Sequence, residues 1–312
     1  MPEGENGLAD GPFRVLSLDG GGAKGFYTLG VLREIEAMTG RPLCETFQLI
    51  YGTSTGSIIA ALLALGRSVD QIHALYCDHV PAIMQSRSAR GKSAALRRLA
   101  VEVFAGATFD AMSTSIGIVA TNWDNERPMI FKADRAQAFG RRASFVPGFG
   151  CTVAEAVQAS CSAFPFFEKK PLETTMGRVL LIDGGYCANN PTLYAISDAL
   201  SALGKGRDKL RVVSIGVGEY PPKRRITSWL LGRLLSVRLL QKTLEINTAS
   251  MEQLRQLIYA DVATVRINDA FDQPELATDM FEHDLEKLSL LRQRGSDSFA
   301  AREGALRDLL GD

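Results

Sequence analysis

An α/β fold with a largely parallel central sheet and helices on both faces is what this 312-residue chain predicts. Three observations lead there. Short apolar runs rich in β-branched and aromatic residues alternate with longer helical patterns, as in strand–helix–strand units. Several of the short runs end at glycines and a helical pattern resumes at once, which puts the turns at the carboxyl ends of strands. Hydrophobic residues make up 46% of the chain, enough to cover a sheet on both sides.

The elements follow in order. Phe13 to Leu18 reads as a strand and Phe26 to Met38 as the helix after it. Phe47 to Tyr51 reads as a buried strand, and Ser57 to Leu65 (SIIAALLAL) as a helix with no polar face, hence packed on the sheet. Val69 to Ile83 reads as a helix. Gln85 to Ser93, rich in Ser, Arg and Gly, reads as a mobile stretch, and the basic run Arg87 to Arg98 as a solvated loop in preference to a phosphate site. Strands are expected at Ile116 to Thr121 and Met129 to Phe131, a helix at Thr152 to Ala159, and a strand at Val179 to Ile182. Pro191 to Leu203 reads as a helix with proline in its first turn, and Leu210 to Val217 as a strand. Beyond Tyr220 the chain is mostly helical, with a strand at Ala263 to Ile267 and a helix at Thr278 to Leu291. The expected organisation is a polar, disordered lead-in over 1–12, a catalytic α/β unit over 13–219, and a helical part over 220–312 packed on the same domain.

The chemistry gathers at three of the turns. Gly52-Thr53-Ser54-Thr55-Gly56 places a serine between glycines at a strand-to-helix junction, the nucleophile-elbow pattern. Gly52 and Gly56, lacking Cβ, allow the tight turn and close helix packing, and Ser54 sits at the positive end of a helix dipole. Asp19 is followed by Gly20, Gly21, Gly22, Ala23, Lys24 and Gly25, where successive N–H groups can converge on an anion. Asp183, with Gly184 and Gly185 behind it, puts a carboxylate at a strand end. Nucleophile, anion cradle and base are the parts needed for acyl transfer.

The same residues fit two rival patterns. Gly20-x-Gly22-x-x-Gly25 matches a dinucleotide fingerprint, but the acidic residue that motif needs at the end of the next strand is missing: Glu45 precedes that strand. The chain order Ser54, Asp183, His283 matches that of α/β-hydrolase triads. Yet His73, His79 and His283, the chain's three histidines, all fall on expected helices and none follows a strand in a Gly-rich loop. A Ser–Asp dyad is the simpler arrangement, with His283 kept as the triad alternative.

The motifs DGGGAKG (Asp19 to Gly25), GTSTG (Gly52 to Gly56) and DGGYCANNP (Asp183 to Pro191), with ASCSAFPFF (Ala159 to Phe167), resemble those of patatin-like phospholipases, over roughly Arg14 to Glu219. Lys24 stands where many members carry Arg, and Glu168-Lys169-Lys170 replaces apolar or Pro residues. The resemblance implies a three-layer sandwich, Ser54 as nucleophile, Asp183 as its base and an oxyanion hole around Gly21 and Gly22. It implies hydrolysis of phospholipid acyl esters without metal or cofactor. It also implies kinship with bacterial effectors that a cyclic nucleotide activates against the cell's own membrane during phage infection. An acyltransferase using the same serine, and a non-catalytic lipid-binding or storage protein, are the alternatives.

Composition bounds the partners. A formal net charge of +0 argues against a nucleic-acid polymer. Five scattered cysteines, with no C-x-x-C pair, read as reduced, mostly buried thiols. The polar N-terminus does not read as a signal peptide, and the longest apolar run, Ile58 to Leu65, is far shorter than a membrane span. The expectation is a cytoplasmic protein working transiently at the inner face of the membrane. The Leu- and Arg-rich segment Lys223 to Lys242 has the composition of a membrane-surface helix. Its leucines run all round the wheel, however, which favours packing against the core or against a second copy in a homo-oligomer.

Overall fold

The computed structural model describes residues 11–138, 142–221 and 231–311, with 231–238 as backbone only. Strand β1 (Phe13–Leu18) leads through a single 3-10 turn (Gly22–Lys24) into α1 (Gly25–Thr39), which Gly40 closes in the left-handed conformation. A helical turn, α2 (Leu43–Thr46), precedes β2 (Leu49–Thr53) and α3 (Thr55–Ala64). All residues of β2 and α3 are buried, as their mostly apolar sequences require. β2 runs on through Gly52 and Thr53, two residues past the expected end, so the strand delivers Ser54 directly.

Helix α4 (Val69–Gln85) opens with a capping box between Ser68 and Gln71. The expected mobile stretch over Gln85 to Ser93 is instead the junction of α4 with a further helix, α5 (Ala89–Phe104). Ser88 caps α5 by accepting the Gly91 N–H, and the buried Lys92 ammonium donates to the carbonyls of Ile83 and Met84 at the end of α4. The basic run through Arg98 is therefore helical, with Ala95, Leu96, Leu99 and Ala100 turned inward. The polar composition hid a cap and an apolar stripe of helical period.

The hairpin β3 (Ser115–Asn122) and β4 (Arg127–Lys132) turns where the Asn122 side chain accepts the N–H groups of Asp124 and Asn125. Next come α6 (Val153–Ser160), β5 (Lys170–Thr174), β6 (Gly177–Asp183), the short α7 (Gly185–Ala188) and α8 (Thr192–Ser201), for which Pro191 is the capping residue. β5 has no counterpart in the expectations. Its sequence KPLET buries one residue only, and its proline is tolerated because the strand lies at the sheet edge. The chain ends with β7 (Leu210–Ile215), the long α9 (Leu231–Ile258), β8 (Ala263–Ile267), α10 (Leu285–Ala300) and α11 (Glu303–Leu310). Of the segment Lys223 to Lys242, the part before Leu231 lies outside the described residues, as do residues 1–10; the remainder forms the first half of α9. The expected helix from Thr278 starts later, at Leu285, and His283 lies in the loop before it, because the Asp284 side chain supplies the cap.

The strand order is β5-β6-β3-β2-β1-β7-β8, with β4 on β3. β3, β2, β1, β7 and β8 run parallel, while β4 and β6 run antiparallel to β3. Leu16, Leu18, Ile50 and Ile118 face one core with α1, α3, α4 and α10; Val15, Leu49, Tyr51 and Val119 face the other with α8. The expected sandwich, largely parallel and covered on both faces, is what the chain forms. No described helix is long and apolar enough to cross a membrane.

The register places the site. β3 pairs with β2 up to Thr53↔Val119 and with β6 from Ala120↔Asp183. Two strands of opposite direction thus end at consecutive positions of β3, and whatever follows Thr53 meets whatever ends β6.

Candidate active site

What meets there is Ser54 and Asp183. Ser54 Oγ donates to Asp183 Oδ2 at 2.7 Å, and Asp183 Oδ1 accepts the Gly185 N–H at 2.7 Å. Ser54 holds φ 51°, in the left-handed region, which an L-residue adopts at a cost and a strand-to-helix elbow demands. Neighbours fix it: Ser54 N–H donates to Ser160 Oγ, whose own hydroxyl donates to Val119 O, and Ser57 bonds back to Ser54 O. The two flanking glycines are dictated by close approach. A Cβ on Gly56 would stand 2.4 Å from Leu18 O, and one on Gly52 2.3 Å from Gly56 O.

Burial pushes the Asp183 carboxyl up from its ordinary 3.8 to about 6, against the opposing pull of the Gly185 N–H and the Ser54 hydroxyl. A carboxylate tuned toward neutrality is a better proton acceptor for a hydroxyl at physiological pH. Gly184 and Gly185 carry the chain from β6 into α7, and a side chain on Gly184 would collide with Val119 O at 2.1 Å.

The glycine loop lies beside the serine, with a Cβ on Gly20 falling 3.2 Å from Ser54 Cβ. Its hydrogen bonds alternate. Gly20 N–H donates to Asn189 O and Ala23 N–H to Met280 O, while the N–H groups of Gly21 and Gly22 take no partner among the described residues. Gly22 has φ +60°, and a side chain there would sit 2.4 Å from Met280 O. Thr53 and Thr55 serve as props: Thr53 Oγ1 donates to Ala188 O, and Thr55 Oγ1 shares a bond with Tyr76. Gly25 starts α1 against Thr55 Oγ1, and Ala23 is wholly buried. Lys24 is buried too, and its chain turns away from Ser54 toward a polar pocket.

An apolar groove opens at Ser54. Ile58, Val80, Ile83, Leu96, Phe167 and Phe281 line it, and Gly22 forms part of its wall. The Glu168-Lys169-Lys170 stretch does not charge it. Lys169 lies over the Trp123 ring at 3.4 Å, and Lys170 bonds Gln158.

Sequence reasoning missed the brace behind the loop. Asp19 is buried and paired bidentately with Arg266 of β8, at 2.8 and 2.5 Å, and Arg266 also donates to Ser214 Oγ. Asn189 Nδ2 reaches Gly20 O and Thr248 of α9. Nothing in the run Ala263 to Ile267 marks its arginine as different from a surface one, so no sequence signal pointed to it.

His283 is an exposed residue whose ring contacts Phe281 O, and His73 and His79 lie on α4 near Cys77 and Glu102. Among the described residues no histidine bonds Ser54 or Asp183. Cys151 and Cys161 are buried and the other three cysteines are half-buried, all five as free thiols. No three His, Cys, Asp or Glu side chains gather as metal ligands among the described residues.

The chain belongs to the patatin-like phospholipase family, whose model matches residues 16–196. It is 60% identical over 299 residues to the cUMP-AMP-activated phospholipase of Escherichia coli, covering 95% of this chain and 93% of that one. The cGAMP-activated phospholipase of Pseudomonas aeruginosa is 31% identical over 65% of this chain and 62% of its own length. Among solved structures, VipD from Legionella pneumophila shares the fold, with a TM-score of 0.50 at 14% identity over 96% of this chain and 68% of that one.

Proposed function

We propose that this protein is a serine lipid acyl hydrolase that cleaves acyl esters of phospholipids through a Ser54–Asp183 dyad. The observation that carries the reading is the 2.7 Å bond from Ser54 Oγ to a buried carboxylate, at the mouth of an apolar groove suited to an acyl chain. In acylation, Ser54 Oγ attacks the ester carbonyl carbon and its proton passes to Asp183 Oδ2. The resulting oxyanion takes the Gly21 and Gly22 N–H groups. As the carbon–oxygen bond to glycerol breaks, Asp183 returns the proton to the leaving alkoxide and a lysophospholipid departs. Water then attacks the acyl-serine, gives its proton to Asp183, and a fatty acid leaves as the proton goes back to Ser54.

The same proposal extends to regulation. The similar proteins of E. coli and P. aeruginosa are named for activation by cyclic nucleotides. We take this chain to be activated likewise and to degrade the inner face of the cell's own membrane, from the cytoplasm, in defence against phage. The arginines of Gln85 to Ser93 and of Lys223 to Lys242 are the groups we assign to grip the nucleotide phosphates in pairs.

Labelling and substitution test the chemistry. A fluorophosphonate should modify Ser54 alone. Ser54→Ala should lower fatty-acid release from phospholipid vesicles, with cyclic UMP-AMP present, by on the order of 10⁶ at unchanged melting temperature. Substantial residual turnover would leave a lipid-binding protein as the better reading.

A further inference from the structure

A second pocket lies on the other side of the glycine loop. Gly20 and Gly21 form its wall, and Met280 lines both this pocket and the apolar groove. Unlike the groove, it includes charged side chains. At its floor is Lys24, only 6% exposed, whose ammonium forms no hydrogen bond or ion pair among the described residues. Glu245 of α9 and Glu219, in the loop after β7, line it as well. Glu219 is exposed and the Glu245 side chain is 40% exposed, so both carboxylates stand toward the rim. Neither closes to within ion-pair distance of Lys24, yet both bear on it electrostatically, Glu245 more than Glu219. Deeper still, Asn189 Oδ1 is buried without a partner.

The two carboxylates have only rim partners among the described residues, Glu245 with the exposed Lys242 at 3.4 Å and with Gln241, and Glu219 with Asn268, whereas the buried Lys24 cation is left without a counter-charge in contact. We propose that this pocket receives the headgroup of the lipid substrate and selects a zwitterionic phosphoethanolamine, with phosphate at Lys24 and primary ammonium at Glu219 and Glu245. The order of charges along the molecule matches the pocket. In such a lipid the phosphate lies nearer the scissile ester and the ammonium further out; here the cation lies by the loop next to Ser54 and the carboxylates toward the rim. The lining also separates headgroups by class. It contains no aromatic residue among those described, whereas a quaternary ammonium is held best by aromatic faces. A primary ammonium has N–H donors for carboxylates, and a glycerol headgroup brings no cation at all.

This assignment rests on the hydrolase reading above, and the test separates the two. Vesicles containing equal phosphatidylethanolamine, phosphatidylcholine and phosphatidylglycerol are digested with cyclic UMP-AMP present, and the lysolipids are measured together, so their ratios report relative kcat/KM. The wild type should favour the ethanolamine lipid over each of the others by about tenfold, the worth of charge-assisted hydrogen bonds of this kind. Glu219→Gln combined with Glu245→Gln should bring the ratios close to one. It should leave hydrolysis of a soluble short-chain nitrophenyl ester unchanged, since both residues are on the rim. Equal wild-type ratios, ratios that survive the double change, or a parallel loss on the soluble ester each overturn the headgroup assignment. So does a double variant that keeps its ratios but loses its melting shift with cyclic UMP-AMP, because the pocket would then belong to the activator. Absence of turnover on every substrate, with Ser54 unlabelled, would instead fell the hydrolase reading itself.

Discussion

The serine turn and the glycine loop both join a strand end to a helix, and they are held in opposite ways. Ser54 takes its backbone shape from nearby sequence, through a left-handed φ, the Ser57 hydroxyl on its carbonyl and glycines on either side, with Ser160 as the one remote group on its N–H. The loop after β1 is fixed from afar. Its bonds go to Ile215, Asn189 and Met280, and its aspartate is paired with Arg266, 247 positions away. A turn of the first kind answers to few distant residues, here Ser160 foremost. A loop of the second kind inherits every disturbance of the sheet edge, α7 and the segment before α10. The nucleophile is therefore locally robust, while the anion cradle integrates much of the fold.

After loss of Ser54 itself, breaking the carboxylate that the serine turn meets should have the largest effect. Asp183→Asn removes the proton acceptor and should lower turnover by about 10⁴. It should also stabilise the protein. Folding raises the Asp183 pKa from 3.8 to about 6, so the folded state binds its proton more tightly than the unfolded chain. Stability attributable to this group is full below pH 3.8 and falls as pH rises through about 6, leaving a penalty at neutral pH on the order of 3 kcal/mol. A neutral amide avoids it. Calorimetry showing a lower melting temperature for Asp183→Asn at pH 7.5 would contradict this account of the site's strain.

The glycine loop should break in two distinguishable ways. Gly22→Val acts within it: the side chain meets Met280 O and forbids φ +60°, so the N–H groups move off the oxyanion. A loss of about 10²–10³ in kcat is expected, with KM little changed. Arg266→Met acts from outside by leaving Asp19 buried and unpaired. Up to about 10²-fold in kcat should follow from the shifted loop, together with about 3 kcal/mol of stability. Adding Asp19→Asn to Arg266→Met should restore part of the stability measured by urea unfolding. If Arg266→Met left both rate and stability intact, the contrast between the local turn and the remote-held loop would dissolve.

That contrast also explains what could be read from the sequence. The elbow, the glycine run and the Asp183 turn are each written in consecutive residues, because each solves a local backbone problem with glycine and a cap. The sheet order was not so written: β6 runs antiparallel to its neighbour and meets β2 end to end on β3, a consequence of packing that no short window contains. α5 was hidden because its opening is rich in Ser, Arg and Gly, and the signal lay in four small or aliphatic residues at helical spacing. Arg266 was invisible for a further reason. In sequence a buried, paired arginine looks the same as a solvated one, and only the neighbouring carboxylate tells them apart.

The smallest effect expected is the most pointed. His283 follows Ser54 and Asp183 in the chain order of an α/β-hydrolase triad, yet its ring lies exposed ahead of α10, bonded to Phe281 O. Phe281 itself lines the apolar groove, and a rate measurement separates dyad from triad. With Asp183 alone as acceptor, kcat/KM on a soluble ester should follow one ionisation near pH 6, falling as pH drops through it because the carboxyl takes up the proton it needs to accept. His283→Ala should then change the rate by less than about twofold, as surface substitutions do, and leave the midpoint where it was. A triad requires the reverse: loss of turnover comparable to Asp183→Asn, and a pH profile in which the midpoint disappears with the imidazole.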